Sequence, residues 1–144
     1  MAATIYYAQN SYFKLNAVDL STAVQSITLT QNYDQLDISA AGDTAHKYLA
    51  GLTSDVISGT LFLTQDAASA GATRATLDGA DGTSVLFEIA PNGSTPSATN
   101  PVYKGSCFVN NYTSVNGAQG EIASLDFSFD VTARDATAWP KLSV

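Results

Sequence analysis

Positive charge is scarce in this chain. Six lysines and arginines face thirteen aspartates and glutamates, a formal net charge of −7, and Lys14, Lys47, Arg74, Lys104, Arg134 and Lys141 are scattered rather than clustered. Tight nucleic-acid binding needs several basic side chains neutralising phosphates together, so that class of function is excluded. Cysteine occurs once, at Cys107 in KGSCFVN. A lone cysteine forms no intrachain disulfide and no cysteine zinc cluster, and it reads as a small buried hydrophobe. Long apolar runs are also missing: no stretch approaches the roughly 18 apolar residues of a membrane span, and MAATIYYAQNSYFKLN has neither the basic start nor the apolar middle of a secretion signal. The expectation is a soluble chain made in a cytosol, with no membrane insertion of its own.

The same scarcity bears on catalysis. His46 is the single histidine, and as a general base it would need a partner within hydrogen-bond reach, for which only Asp43 is close in sequence. An ordinary loop histidine is the simpler reading. The run from Gly42 to Ala45 reads as a turn in which Asp43 and Thr44 bond nearby backbone. Asp78 and Asp81 in LDGADGTS suggest part of a calcium loop, but no glutamate follows at the required spacing, so helix termination and a turn is the better assignment. No catalytic residue, metal ligand or cofactor site emerges, and the chain does not read as an enzyme.

What the sequence does hold is alternation. Its 144 residues fit one domain, and 45% hydrophobic content is enough for a core. Only 13% of residues are charged, so the surface must be neutral and polar. In VQSITLTQ, Ile27 and Leu29 fall on one face, with Ser26, Thr28 and Thr30 on the other. In EIASLDFSFDV, Ala123, Leu125, Phe127, Phe129 and Val131 oppose Ser124, Asp126, Ser128 and Asp130. Further strands are expected at TIYYA, YFKLN, QLDIS, VISGTLFLTQ, SVLFEIA and YKGSCFVNNYT, which are rich in aromatic and β-branched residues.

One helix is expected within DAASAGATRATLDGADG, with Asp66 as N-cap, Gly79 or Gly82 as the stop, and Gly71 as a weak point. The fold class is therefore mainly β: an antiparallel β-sandwich or distorted barrel flanked by one short α-helix, in a single domain over residues 1–144. LDISAAGDTAHKYLAGLTSD begins as a strand and runs on with no evident hairpin turn, so a long loop is assigned to residues 41–55. The end of the chain, from about residue 133 to 144, either forms an arm or packs Trp139 on its own core.

The order and spacing of AVDLSTAVQSITLTQNYDQLDISAAGDTAHKYLAGLTSDVISGTLFLTQD, then SATNPVYKGSCFVNNYTS and a β-rich end, resemble the major tail (tail tube) proteins of long-tailed bacteriophages. The resemblance implies a virion protein, made in the host cytoplasm, that assembles with itself into hexameric rings stacked as a hollow tail tube. Its other partners would be tail proteins at the tube ends and double-stranded DNA passing through without tight binding. It further implies an inter-ring role for the long loop, on which we place Asp43, Thr44, His46, Lys47, Tyr48, Leu49 and Leu52. The alternating polar faces would line the lumen through Ser26, Thr28, Thr30, Ser124, Asp126, Ser128 and Asp130. Closing sheets around a ring would also remove exposed strand edges.

Two other classes share these features. A capsid decoration or fibre protein would use the same β-sandwich without forming tubes. A carbohydrate-binding module would present Tyr6, Tyr7, Tyr12 and Tyr103 as a stacking platform.

Overall fold

A computed structural model describes residues 10–64 and 73–142. Strands β1 (Tyr12–Leu15) and β2 (Val18–Asp19) lead through a single 3-10 turn, Ser21–Ala23, into β3 (Val24–Thr30). Then come β4 (Tyr33–Asp37), β5 (Tyr48–Thr53), β6 (Val56–Phe62), helix α1 (Thr73–Ala80), β7 (Ser84–Ala90), β8 (Tyr103–Phe108) and β9 (Ser124–Arg134). The expected strand TIYYA and the expected cap Asp66 lie outside the described residues, as does Gly71.

Seven strands form one antiparallel sheet in the order β2-β1-β7-β8-β9-β6-β3. Strict alternation buries one face: Leu125, Phe127, Phe129 and Val131 of β9 point inward with Ile57 and Leu61 of β6 and Phe87 and Ile89 of β7. The sheet wraps around this core. Two strands separate β1 from β9 in the sheet, yet the Phe13 ring stacks on Phe127 with centroids 5.6 Å apart. The edge strands β2 and β3 are joined through Ser21–Ala23, but no ladder crosses between them, so the barrel stays open at a seam.

Two glycines permit the bending. A Cβ on Gly59 would run into the Ser26 carbonyl oxygen, and one on Gly105 into that of Ala133. Both lie beside register shifts, between Val24 and Ser26 and between Ser106 and Cys107, where a sheet turns sharply. Cys107 sits in the core, and burial pushes its thiol up to about 12. Helix α1 packs Leu77 and Ala80 on the core. Its first residue is held by Thr73 Oγ1 donating to the Phe62 carbonyl at 2.9 Å. Of the two glycines expected to stop it, Gly79 lies inside the helix, while Gly82 lies beyond it with φ of 74°, donating its N–H to the Val109 carbonyl.

One sequence expectation is corrected, and one stated alternative is decided. Residues 41–55 are not one loop, because Tyr48–Thr53 is strand β5, paired antiparallel with β4 in a separate two-stranded ribbon. Residues 133–142 are not a free arm. β9 continues to Arg134, and the following segment folds back through Lys104 N–H to the Ala138 carbonyl and paired bonds between Val102 and Lys141. Trp139 then packs edge-on against Phe87 at 5.9 Å and Tyr103 at 5.4 Å, which holds the segment down by aromatic burial.

Candidate assembly surfaces

The outer face of the wrapped sheet gathers the alternating polar residues. In register, Ser26 of β3 lies opposite Thr60 of β6, which lies opposite Asp126 of β9. Thr28, Ser58 and Ser128 form the next row, and Thr30, Val56 and Asp130 the next. Residues paired across a ladder share a face, so Ser26, Thr28, Thr30, Ser124, Asp126, Ser128 and Asp130 stand together, opposite the buried phenylalanines. Reading β3 and β9 alone left out Ser58 and Thr60. They come from the strand between, whose pattern Val56–Phe62 is interrupted by Gly59.

Hydroxyls dominate this face and tie it to itself. Thr60 Oγ1 donates to Asp126 Oδ1 at 2.8 Å, and Ser106 Oγ and Thr132 Oγ1 lie 2.9 Å apart. Asn110 Nδ2 donates to Asp130 Oδ2 at 3.3 Å. Farther along, Glu88 is bracketed by Lys104 at 3.1 Å and Lys14 at 3.7 Å. Leu86 and Phe108 are exposed there, and Phe62 is exposed opposite Ser124 at the far end of β6, so the polar area is the middle of the β3-β6-β9 part.

The β4-β5 ribbon is the second surface. Leu36 pairs directly with Leu49, and Asp37 with Tyr48. Leu36, Leu49 and Ile38 therefore share one side, while Tyr48 and Ala50 share the other with Asp37 and Gln35; the register shift between Tyr33 and Gln35 interrupts the alternation before Leu52. All but one position of the two strands is exposed, with Leu36 at 50%, Leu49 at 55% and Leu52 at 79%. A two-stranded ribbon is marginal on its own, and clustered exposed apolar residues call for a partner surface. At its tip, Asp43 Oδ2 accepts from the Ala40 N–H at 2.6 Å and Oδ1 pairs with Lys47 at 2.9 Å. These contacts hold the Asp43 carboxyl below its usual range, the Ala40 bond most strongly. His46 faces Asp37 at 3.5 Å, not Asp43.

The ribbon's root is anchored. Asp55, directly before β6, is almost fully buried and receives Arg134 Nε at 2.6 Å and Nη2 at 2.7 Å. It also accepts the Asn32 N–H at 2.9 Å, while its own carbonyl takes the Val131 N–H at 3.0 Å. Arg134 Nη1 reaches the Tyr33 hydroxyl at 2.9 Å, and its guanidinium lies over the Tyr33 and Trp139 rings at 4.7 and 5.1 Å. Trp139 Nε1 donates to Gln31 Oε1 at 3.1 Å. Every segment entering or leaving the ribbon is thus bound to the end of β9. Arg134 holds the Asp55 carboxyl below its usual range, against the opposing effect of burial. Bidentate geometry of this kind fixes orientation as well as charge.

The other candidate chemistries find no support here. Asp78 accepts a hydrogen bond from the Tyr112 hydroxyl at 2.6 Å, and among the described residues no group of His, Cys, Asp and Glu could hold a metal ion. Tyr12 is buried in the core and Tyr103 packs on Trp139, so neither offers a free stacking face, while Tyr6 and Tyr7 lie outside the described residues. No described helix is long and apolar enough to cross a membrane.

No family model matches the chain, and no curated protein sequence does. Its fold, however, is shared with solved assemblies. It superposes on a chain from the tail of an empty gene transfer agent (GTA) particle with C6 symmetry, with a TM-score of 0.61, 18% identity, and coverage of 81% of this chain and 83% of that one. A chain from the virion of a native GTA particle gives 0.69 at 15% identity, covering 92% of this chain and 100% of that one. The SPP1 tail tube gives 0.70 at 10% identity, covering 97% and 81%.

Proposed function

We propose that this chain is the structural subunit of a phage-type tail tube: copies close into rings, hexameric as in the C6 tail, and the rings stack into a hollow conduit. The observation that carries this reading is the ribbon, exposed at nearly every position with Leu36, Ile38 and Leu49 gathered on one side and rooted by a buried ion pair, on a fold shared with assembled tails. A subunit with no use for neighbours would gain nothing from exposing such a ribbon to water. Obligate contacts of this kind bury on the order of 2,000 Å² or more.

The β3-β6-β9 face suits the lumen. Repeated around a ring, Asp126 and Asp130 amid hydroxyls would give a duplex a negative, non-adhesive wall, since DNA carries one negative charge per roughly 1.7 Å of axis. Repulsion between acidic subunits is screened beyond about 8 Å at physiological salt, so apolar contacts can outweigh it. Asp43, Thr44, His46, Lys47, Tyr48, Leu49 and Leu52 then belong to the inter-ring contact. The protein works in the virion tail as a conduit, with further tail proteins at the tube ends, and not as an enzyme.

Electron microscopy of the purified chain tests this reading. Rings or hollow tubes are expected; discrete small particles would favour a decoration or fibre protein. Replacing Asp126 and Asp130 by Lys should leave tubes intact and slow genome passage. Undiminished DNA delivery by such particles would remove these positions from the lumen.

A further inference from the structure

Arg74, the second residue of α1, carries a charge that no carboxylate of its own chain answers among the described residues. Lys14, Lys47, Lys104 and Arg134 each pair with an aspartate or glutamate; Arg74 does not. Its Nε is buried without a hydrogen-bond partner, the one buried side-chain nitrogen or oxygen for which that holds among the described residues. Asp78, one turn along the helix, is committed to the Tyr112 hydroxyl at 2.6 Å. Arg74 lines a cleft of about 320 Å³ together with Leu63 beyond β6, Ser114, Val115 and Asn116 of the loop between β8 and β9, and Ala123. The walls of this cleft are fixed. Thr73 N–H donates to Thr64 Oγ1 at 2.7 Å and Thr64 N–H to Thr73 Oγ1 at 3.0 Å, which sets the start of α1. Leu63 N–H bonds the Ala123 carbonyl at 3.0 Å, Thr113 N–H the Asp126 carbonyl at 2.9 Å, and Asn116 Nδ2 the Ser124 carbonyl at 3.0 Å.

We infer that this cleft is a socket for a carboxylate side chain, aspartate or glutamate, of a second copy of the chain. The inference rests on the tube reading and adds one specific contact to it. A buried guanidinium N–H left without an acceptor is costly, and such a group in a folded chain calls for an explanation. The planar guanidinium fork matches a carboxylate in two parallel hydrogen bonds, which makes that anion the fitting acceptor. Leu63, Val115 and Ala123 keep the surroundings apolar, so the attraction is stronger there than at an open surface. One arginine is too little charge to hold a phosphate backbone. Charge complementarity commits the occupant to another copy: thirteen acidic residues face six basic ones, and Asp34, Asp81 and Glu121 are exposed without an ion pair among the described residues. Between subunits of like net charge, a cation that meets the partner's carboxylate replaces a repulsion with an attraction.

The Nε–H signal of Arg74 tests it by nuclear magnetic resonance, with Arg74→Lys in the free subunit assigning the signal by its loss. On assembly of the unsubstituted protein the signal should move downfield, as a charge-assisted hydrogen bond requires. Cross-linking then identifies the source of the carboxylate. Arg74→Lys copies labelled with heavy nitrogen are co-assembled with unlabelled, unsubstituted copies and treated with a carbodiimide, which joins the introduced amine to a carboxylate in direct contact. Mass spectrometry should find a labelled peptide joined to an unlabelled one through aspartate or glutamate. Should Arg74→Lys copies stay out of the assembly, the Nε–H signal of the unsubstituted protein decides alone. An assembly in which that signal keeps its free position would overturn the socket and leave the tube reading intact. A link confined to labelled peptides would also overturn it, because the chain would then fill its own cleft. A chain that never assembles would overturn the tube reading itself, and the occupant with it.

Discussion

The β6-β9 ladder and the β4-β5 ribbon are both antiparallel pairs, and they solve the burial of apolar side chains in opposite ways. The ladder sorts its residues by alternation, with Phe127 and Phe129 inward and Asp126 and Ser128 outward, and needs nothing beyond its own chain. The ribbon sets Leu36, Ile38 and Leu49 on one side and Tyr48 on the other beside Asp37 and Gln35, and leaves all of them exposed. Its hydrogen bonding is internal and its root is tied down, but its apolar side chains are left exposed by the described residues. A strand pair with one face buried serves a core, whereas a strand pair whose leucines stay uncovered suits a contact with another surface.

Substitutions should separate the two regions cleanly. The largest effect is expected for Phe129→Ala, which removes a fully buried ring from the core and should cost about 3–5 kcal/mol of subunit stability by denaturant titration. Next comes the root. Asp55→Ala strands Arg134 at a partly buried site and should cost about 3 kcal/mol, the lower end for a broken buried pair because Arg134 retains some exposure. Ribbon substitutions such as Leu49→Ala should fall within about 0.5 kcal/mol in the free subunit while weakening assembly. A large loss of subunit stability from Leu49→Ala would mean that the ribbon folds onto its own sheet.

The ion pair also gives a pH signature. The folded Asp55 carboxyl lies below its ordinary value, chiefly through Arg134, so its contribution is fully present above the ordinary aspartate range. It is lost as pH falls through the depressed folded value. Unfolding free energy measured against pH should therefore decline on the acid side, and Asp55→Asn should flatten that part of the curve. An unchanged acid slope in the variant would show that Asp55 does not carry the linkage.

Legibility followed the same division. Alternation located β7 at Ser84–Ala90 and placed the phenylalanines and aspartates of β9 on opposite faces, because one-sided burial imprints a period of two. β5 was missed for the converse reason: YLAGLT is buried on neither face, so it carries no such period, and only pairing with β4 makes it a strand. Ser58 and Thr60 were missed because strand order is a property of the sheet, placing β6 between β3 and β9. The root had no local signal at all, since Asp55 and Arg134 are 79 residues apart. Trp139 was a stated alternative, and the aromatic contacts with Phe87 and Tyr103 decide it.

Smaller effects sharpen the picture of the polar face. Thr60→Ala removes one exposed hydrogen bond to Asp126 and should change stability by no more than about 0.5 kcal/mol. A larger loss would show that the face is a structural network and not a passive wall.

Hydrogen exchange resolved by residue, compared between the free subunit and the assembled protein, tests the division most directly. The ladder amides around Phe127 and Phe129 should be protected equally in both states. Those of β4 and β5, including Leu36 and Leu49, should exchange readily in the free subunit and become protected on assembly. Equal protection of the ribbon in both states would contradict the account, because the ribbon would then be stabilised by its own chain alone.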